Sequence, residues 1–430
     1  MKLYPDYKKL FKFFLLAALI LTPFVFYAQN ASDLKSKIDD RNNEIQKLEE
    51  EIASYTKQLG VIGLEASSLG NSIKELDLNK KKLNADIKIT QTKIGGTNLD
   101  IQNISLDIGN KEEKISADQK AISQGIREIG DNDRIDLIAV LLSENKLTDA
   151  WNEIEQIKTL QSNLRQRIIE LKDIKTDLEK NKNEAEQAKQ KLVFLNGELG
   201  DQKKINDQNT TAKNKLLKDT KNKESNYKKI LQDKIAKKAA FEKDVRDYES
   251  QLKFILDPSL LPKAGSGVLS WPLDDVFITQ LFGATVDAKR LYVSGSHNGV
   301  DFRASIGTPL KAMASGVVVG TGNTDETCPG ASYGKWVFIK YNNGLSSIYG
   351  HMSLIKAVAG ESVSAGEVVG YSGSTGYATG PHLHLGVYAS SAVKVTSLPS
   401  KACGGRTYTM PVAPINAYLD PMLYLPAYNA

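Results

Sequence analysis

Apolar residues recur every seven positions along the first third of the chain. From Leu34 to Ile129 one register holds, and its first core positions read Ile38, Ile45, Ile52, Leu59, Ala66, Ile73, Lys80, Ile87 and Ile94. The same position continues as Ile101, Ile108, Ile115, Ile122 and Ile129. The second core position carries Leu34, Leu48, Tyr55, Ile62, Leu69, Leu76, Leu83 and Ile104, then turns polar at Lys111 and Asp118. A repeat of seven falls just short of two helical turns, so the stripe predicts helices supercoiled left-handedly against a partner. The pattern breaks at Gly130-Asp131-Asn132-Asp133. A second stripe follows, stepping by three and four, through Ile157, Leu160, Leu164, Leu171, Ile174, Leu178, Ala185, Ala188, Leu192, Leu195 and Leu199. A third run, Phe241, Val245, Tyr248, Leu252 and Ile255, closes the region. Two arms of roughly 100 residues would each reach about 150 Å at 1.5 Å per residue. Similar arms joined by a break predict an antiparallel hairpin, with a parallel homodimer as the competing arrangement. Between the arms, near 131–152, lies an apolar tip including Ile135, Leu137, Ile138, Val140, Leu141 and Leu142. It is expected to form a small helical cap packing on itself; the sharper alternative is a docking site for a membrane or protein partner.

After Pro258 the period changes from helical to alternating. Short runs rich in β-formers alternate with glycine-rich turns: 278–282, 316–320, 336–341, 345–349, 367–371 and 383–388. Such spacing predicts an all-β domain. Composition sharpens the boundary. All 13 prolines fall at positions 5, 23, or 258 and beyond, and 22 of 32 glycines lie between Gly265 and Gly405. One uniform fold over 430 residues is excluded. The expected class is α+β multidomain: a long α-helical coiled-coil hairpin over 29–257, then a small all-β domain over 258–430.

Charge adds little. The net +5 equals the surplus of residues 201–250, which carry 14 basic and 9 acidic side chains. A nucleic-acid-binding domain would concentrate more charge and interleave aromatics, so no nucleic-acid partner is expected. At the amino terminus, Lys2, Lys8, Lys9 and Lys12 precede an apolar run from Phe13 to Ala28. This reads as a signal peptide or membrane anchor over 1–28, which would place the remainder outside the cytoplasm, in the cell envelope. In that setting Cys328 and Cys403 are expected to form a disulfide.

The histidines carry the chemistry. All four lie within the 88 residues from His297 to His384. His297-Asn298-Gly299-Val300-Asp301 sets an imidazole and a carboxylate four apart around a glycine, which is expected to bend the backbone so that both converge. His382-Leu383-His384 would project both imidazoles from one face of a strand, with Leu383 in the opposite layer. His351 follows Tyr349-Gly350 at the end of another expected strand. Catalytic zinc takes three protein ligands and leaves a position open. Two histidines and a carboxylate meet that count, and two histidines remain for proton transfer. Neither cysteine sits in a catalytic pattern, and glycine-rich 370–380 lacks the Lys-Ser/Thr of a phosphate-binding loop.

These motifs resemble the lysostaphin/LytM-type zinc metallopeptidases: H-x-G-x-D, a later single His, then H-x-H after Gly380-Pro381. The resemblance covers roughly Trp271 to Val387. It implies a small β core (a duplicated hybrid motif), with His297, Asp301 and His384 binding one zinc ion and His351 and His382 catalytic. It also implies peptide bonds of bacterial peptidoglycan as substrate. The tip is similar to those of coiled-coil wall hydrolases controlled by a division-linked membrane transporter. A second expectation, from overall layout, is a non-enzymatic activator of the EnvC type acting on a separate amidase. Such proteins lack zinc ligands, and the full ligand set here argues against it.

Overall fold

The computed structural model describes residues 36–59, 68–132, 147–252, 259, 261–265, 267–292 and 294–428. Helix α1 covers 36–59; α2 is Leu69–Asn132, α3 Leu147–Thr220 and α4 Glu224–Glu249. The chain forms two compact units. One is Met1–Gln46 with Ile89–Glu198; the other is Lys47–Lys88 with Leu199–Ala430.

In the first unit the long helices run antiparallel. Asp118 pairs with Arg167 at 3.1 Å and Glu112 with Lys182 at 2.8 Å, so positions rise on one helix as they fall on the other. Gly125 sits under Leu164: a Cβ there would come within 2.7 Å of a Leu164 methyl. In the second unit Asn206 donates to Asn84 at 2.9 Å, and Asn209 to the Leu76 carbonyl at 2.9 Å, again antiparallel. The hairpin arrangement therefore holds over the parallel one.

One expectation needs correction. The register from Leu34 to Ile129 is not one arm. Arg41 lies against Gly95, and Thr92 donates to Glu44. Tyr55 and Leu59 pack on Leu78. Helix α1 thus runs back along α2. A heptad stripe needs an apolar partner and is indifferent to chain direction, so a continuous register can pass through a reversal. Gly60 and Gly63, between the two helices, were the available signal. The segment 1–28 and most of the apolar tip (133–146) lie outside the described residues. No helix among those described is long and apolar enough to cross a membrane.

The remainder of the second unit is β-rich. In chain order its elements are β1 Ile278–Gln280, a one-and-a-half-turn helix α5 Val286–Leu291, β2 Val300–Arg303, β3 Pro309–Lys311, β4 Gly316–Asn323, β5 Lys335–Tyr341 and β6 Leu345–Ile355. Then follow β7 Ser362–Val363, β8 Val368–Ser372, β9 His382–Ala389, β10 Lys394–Pro399, β11 Thr407–Val412 and β12 Tyr418–Leu419. The main sheet is antiparallel in the order β1-β2-β9-β6-β5-β4-β7; β12 adds to β9, and β3 reaches β6 through β8. Strands β10 and β11 make a separate hairpin. Side chains from alternate positions, including Phe302, Val337, Tyr349, Leu383 and Leu385, fill one core. Leu83 of α2 and Ile205 of α3, both nearly inaccessible, pack on Ile306, Leu354 and Tyr371 of the β-rich part. Asn79 also accepts the Ile306 N–H at 3.3 Å. Cys328 and Cys403 are disulfide-bonded, as expected.

Candidate metal centre

Strand register brings the key residues together. Asp301 on β2 lies directly opposite His384 on β9, and His384 lies opposite Gly350 on β6. Leu383 points into the core while the flanking His382 and His384 share the other face. His297 is fixed by a two-way backbone bridge to Gly283, at 2.8 and 3.0 Å.

Three atoms converge. His384 Nδ1 is 2.9 Å from Asp301 Oδ1 and 3.1 Å from His297 Nε2, and His297 Nε2 is 3.3 Å from the same carboxylate oxygen. Tetrahedral zinc with ligands at about 2.0–2.1 Å separates them by about 3.3 Å, so the triangle is slightly tighter than a filled site. The donor chemistry also fits. His297 Nδ1 lies 3.1 Å from the Leu281 carbonyl, which can only accept, so the ring proton sits on Nδ1 and the Nε2 lone pair faces inward. A lone pair, a carboxylate and a second imidazole aimed at one buried point call for a cation. His384 Nε2, buried without a hydrogen-bond partner, agrees with a ring placed by its Nδ1 and not by its outer nitrogen. Residues His297, Asp301 and His384 could therefore hold a metal ion.

Burial pushes the Asp301 carboxyl up, but the imidazoles of His382, His297 and His384 outweigh it and hold the group well below the usual carboxylate range. Burial holds His384 below its ordinary value despite Asp301 beside it, so the ring is neutral and its lone pair available.

Gly299 was expected for a backbone bend. It does lie in one, but its φ is not in the positive region; space is the stronger demand. A Cβ there would sit 2.5 Å from the Leu385 carbonyl oxygen and 2.7 Å from His384 Cε1. His351 also departs from expectation. It lies inside β6, not at a strand end, and adopts φ 59°. That left-handed residue interrupts the ladder, and its N–H turns to the Tyr333 carbonyl at 2.7 Å. Its ring swings onto His382, with centroids 4.5 Å apart. Both rings are oriented alike: His351 Nδ1 donates to the Thr375 carbonyl at 2.8 Å, and His382 Nδ1 to the Gly380 carbonyl at 2.9 Å. In a neutral ring so held, Nε2 is the acceptor. Burial drives His351 far down, to neutrality. His382 Nε2 is 3.8 Å from Asp301 Oδ1.

All five histidine and aspartate candidates thus meet in one groove. Sequence reasoning missed its tyrosines. Tyr292 stacks on His297 with rings 13° from parallel; Tyr333 receives the Asn298 amide at 3.1 Å and packs against His384. Burial pushes the Tyr333 phenol up to about 12, so it remains a donor. Aromatic residues near a histidine motif are common enough that nothing in the sequence singled these out.

A buried histidine–carboxylate triad on an antiparallel sheet, with two further histidines beside it, defines a candidate metal centre. Residues 295–395 match the profile of Peptidase family M23, and the chain carries a domain of that family. The matched range contains all five residues. The chain is 42% identical over 88 residues to the DD-carboxypeptidase/endopeptidase Mpg of Neisseria meningitidis serogroup B, covering 20% of this chain and 19% of that one. It is 42% identical over 92 residues to lysostaphin of Staphylococcus simulans, covering 21% and 18%. It is 46% identical over 88 residues to the peptidoglycan DD-endopeptidase ShyA of Vibrio cholerae serotype O1, covering 20% and 19%. The chain thus spans about a fifth of the length of the curated relatives it matches. Among solved structures, the catalytic domain of lysostaphin from Staphylococcus simulans is 30% identical, with 35% of this chain and 92% of that one covered and a TM-score of 0.26.

Proposed function

We propose that this protein is an exported zinc metalloendopeptidase that hydrolyses peptide bonds in peptidoglycan cross-links, with its helical region positioning or regulating the β-rich domain. The observation that carries the reading is the convergence of His297 Nε2, Asp301 Oδ1 and His384 Nδ1 within 2.9–3.3 Å of one another. In this reading these three hold one zinc ion, and His351 and His382 act on the substrate. Zinc, when bound, supplies Lewis acidity toward a carbonyl and acidifies water at the site.

The chain's own residues supply the rest. His351 and His382 each present a bare Nε2 because each Nδ1 proton is committed to a backbone carbonyl. A neutral ring of this kind can take a proton from attacking water and return it to a departing amine. Protonated, the same ring would donate to a developing oxyanion. Tyr292, Tyr333 and Tyr377 line the groove beside these rings. The helical region (29–257), the β-rich domain (258–430) and a membrane or division partner at the tip belong to the same proposal.

The test uses zinc-loaded full-length protein and residues 258–430, each incubated with purified peptidoglycan with and without a chelator. Newly released amino termini should appear and should be lost with chelator. His384→Ala should lose both the bound zinc and the release. Folded, zinc-loaded protein that frees no amino termini in either form sinks the reading. A His384→Ala protein that still stimulates a separate amidase would move the assignment to an activator.

A further inference from the structure

Helix α4 does not stand apart from the groove. Residues 238, 241, 245 and 249 share one face at helical spacing, and all four line the groove that holds the five histidine and aspartate residues. Phe241, 1% exposed, meets Tyr408 with ring centroids 4.5 Å apart. Asp244 accepts the Ala402 N–H at 3.0 Å and the Ser400 hydroxyl at 3.2 Å. Glu249 accepts from Tyr418. These contacts hold the carboxyl-terminal half of the helix against the β-rich part.

Near its middle α4 puts a cation into the groove. Lys238 is 5% exposed, and its Nζ lies 4.1 Å from the Tyr292 ring centroid and 4.3 Å from that of Tyr377. Glu242 Oε1 is 3.2 Å away. An ammonium between two tyrosine faces with a carboxylate at its edge has the chemistry of a cation-recognition site. Tyr292 also stacks on His297, so the box adjoins the metal triad. Burial pulls the Lys238 amine below its ordinary value, with the Glu242 and Asp301 carboxylates opposing.

We infer that Tyr292 and Tyr377 form an ammonium-binding subsite beside the metal centre, that Lys238 occupies it from within the chain, and that a peptide bearing a free primary ammonium takes it when α4 withdraws. The identity of that peptide as a cross-link stem rests on the proposed peptidase function; the subsite and its internal occupant do not.

The experiment therefore reads binding and not hydrolysis. Chelator-treated full-length protein is titrated with a synthetic stem tetrapeptide carrying a free side-chain ammonium, and with the same peptide acetylated at that amine. Lys238→Ala should bind the free-amine peptide roughly tenfold more tightly than wild type. It should bind the acetylated peptide with wild-type affinity. Adding Tyr377→Leu to Lys238→Ala should erase the gain. No gain in Lys238→Ala, or an equal gain for both peptides, overturns the proposal. A measurement on wild type holds the test open should Lys238→Ala fold poorly. Excess free-amine peptide should speed amide exchange in residues 224–249, and acetylated peptide should not; equal exchange with both overturns it as well. Loss of peptidase activity in every form would refute the proposed function and leave these binding results standing.

Discussion

At the residue scale the centre depends on a position that makes no contact of its own through a side chain. Gly299 lets β9 approach so closely that His384 reaches Asp301. Its obstacles are the Leu385 carbonyl and the buried His384 ring, neither of which can give way cheaply. Gly299→Ala is expected to cost roughly 1–3 kcal/mol of stability, the usual penalty for overpacking. It should also weaken zinc binding at least tenfold, because the displaced ring is one of the three proposed ligands. A thermal melt and a chelator competition check this; wild-type zinc affinity in a folded Gly299→Ala protein would refute it. The convergence of His297, Asp301 and His384 was legible because few roles call for two imidazoles and a carboxylate at strand spacing. The reason for the glycine was not, because close approach of two strands remote in sequence leaves no local mark. The left-handed turn at His351 was equally hidden: nothing in Tyr349-Gly350-His351 requires the histidine, and not the glycine, to take positive φ.

At the element scale α4 is held partly by a buried acid. Burial raises the Glu249 carboxyl to about 7, against the opposing hydrogen bonds from Tyr418 and the Ala413 N–H. The folded state thus prefers the protonated form. The advantage is full below about pH 4.5, where the unfolded chain is protonated too, and is lost as pH climbs through about 7. A shift of that size corresponds to on the order of 3 kcal/mol. Glu249→Gln keeps an acceptor for Tyr418 and carries no charge. Its stability relative to wild type should be near equal at pH 4.5 and rise by up to about 3 kcal/mol at pH 8, read from urea melts at each pH. A difference independent of pH would show that Glu249 ionises freely in the fold. The heptads announced the helices clearly, and five of the six strand runs fell within three residues of their observed limits, while β6 runs six residues further than expected, to Ile355. What the stripe concealed was direction: the reversal between α1 and α2 keeps the same apolar seam. The packing of α4 was hidden for a related reason. Phe241 and Val245 read as one more helical stripe, and nothing local says whether such a stripe meets a helix or a sheet.

At the scale of the whole molecule, composition and compactness divide the chain differently. Proline and glycine change abruptly at Pro258, which separates helices from strands. The compact unit that contains the sheet nevertheless includes Lys47–Lys88 and everything from Leu199 onward. The β-rich part therefore relies on side chains that a cut at residue 258 would remove. Leu83 and Ile205 bury themselves on Ile306, Leu354 and Tyr371, and Phe241 fills the cluster around Trp336 and Tyr408. Fully burying such a side chain is worth about 1.5–3 kcal/mol, so three together exceed about 4 kcal/mol. For a domain of this size each kcal/mol moves the midpoint by about 2–4 °C. Residues 258–430 should consequently melt about 10 °C or more below the sheet transition of the full chain, with the disulfide intact in both. Trp336 is fully buried in the Phe241 cluster, so its fluorescence is a direct reporter of that transition. Coincident midpoints would mean that the sheet needs nothing from the helices and that their packing on it serves position alone. A lower midpoint, together with faster peptidoglycan cleavage by the fragment per folded molecule, would show that the contacts which steady the sheet are also the ones that cover its groove.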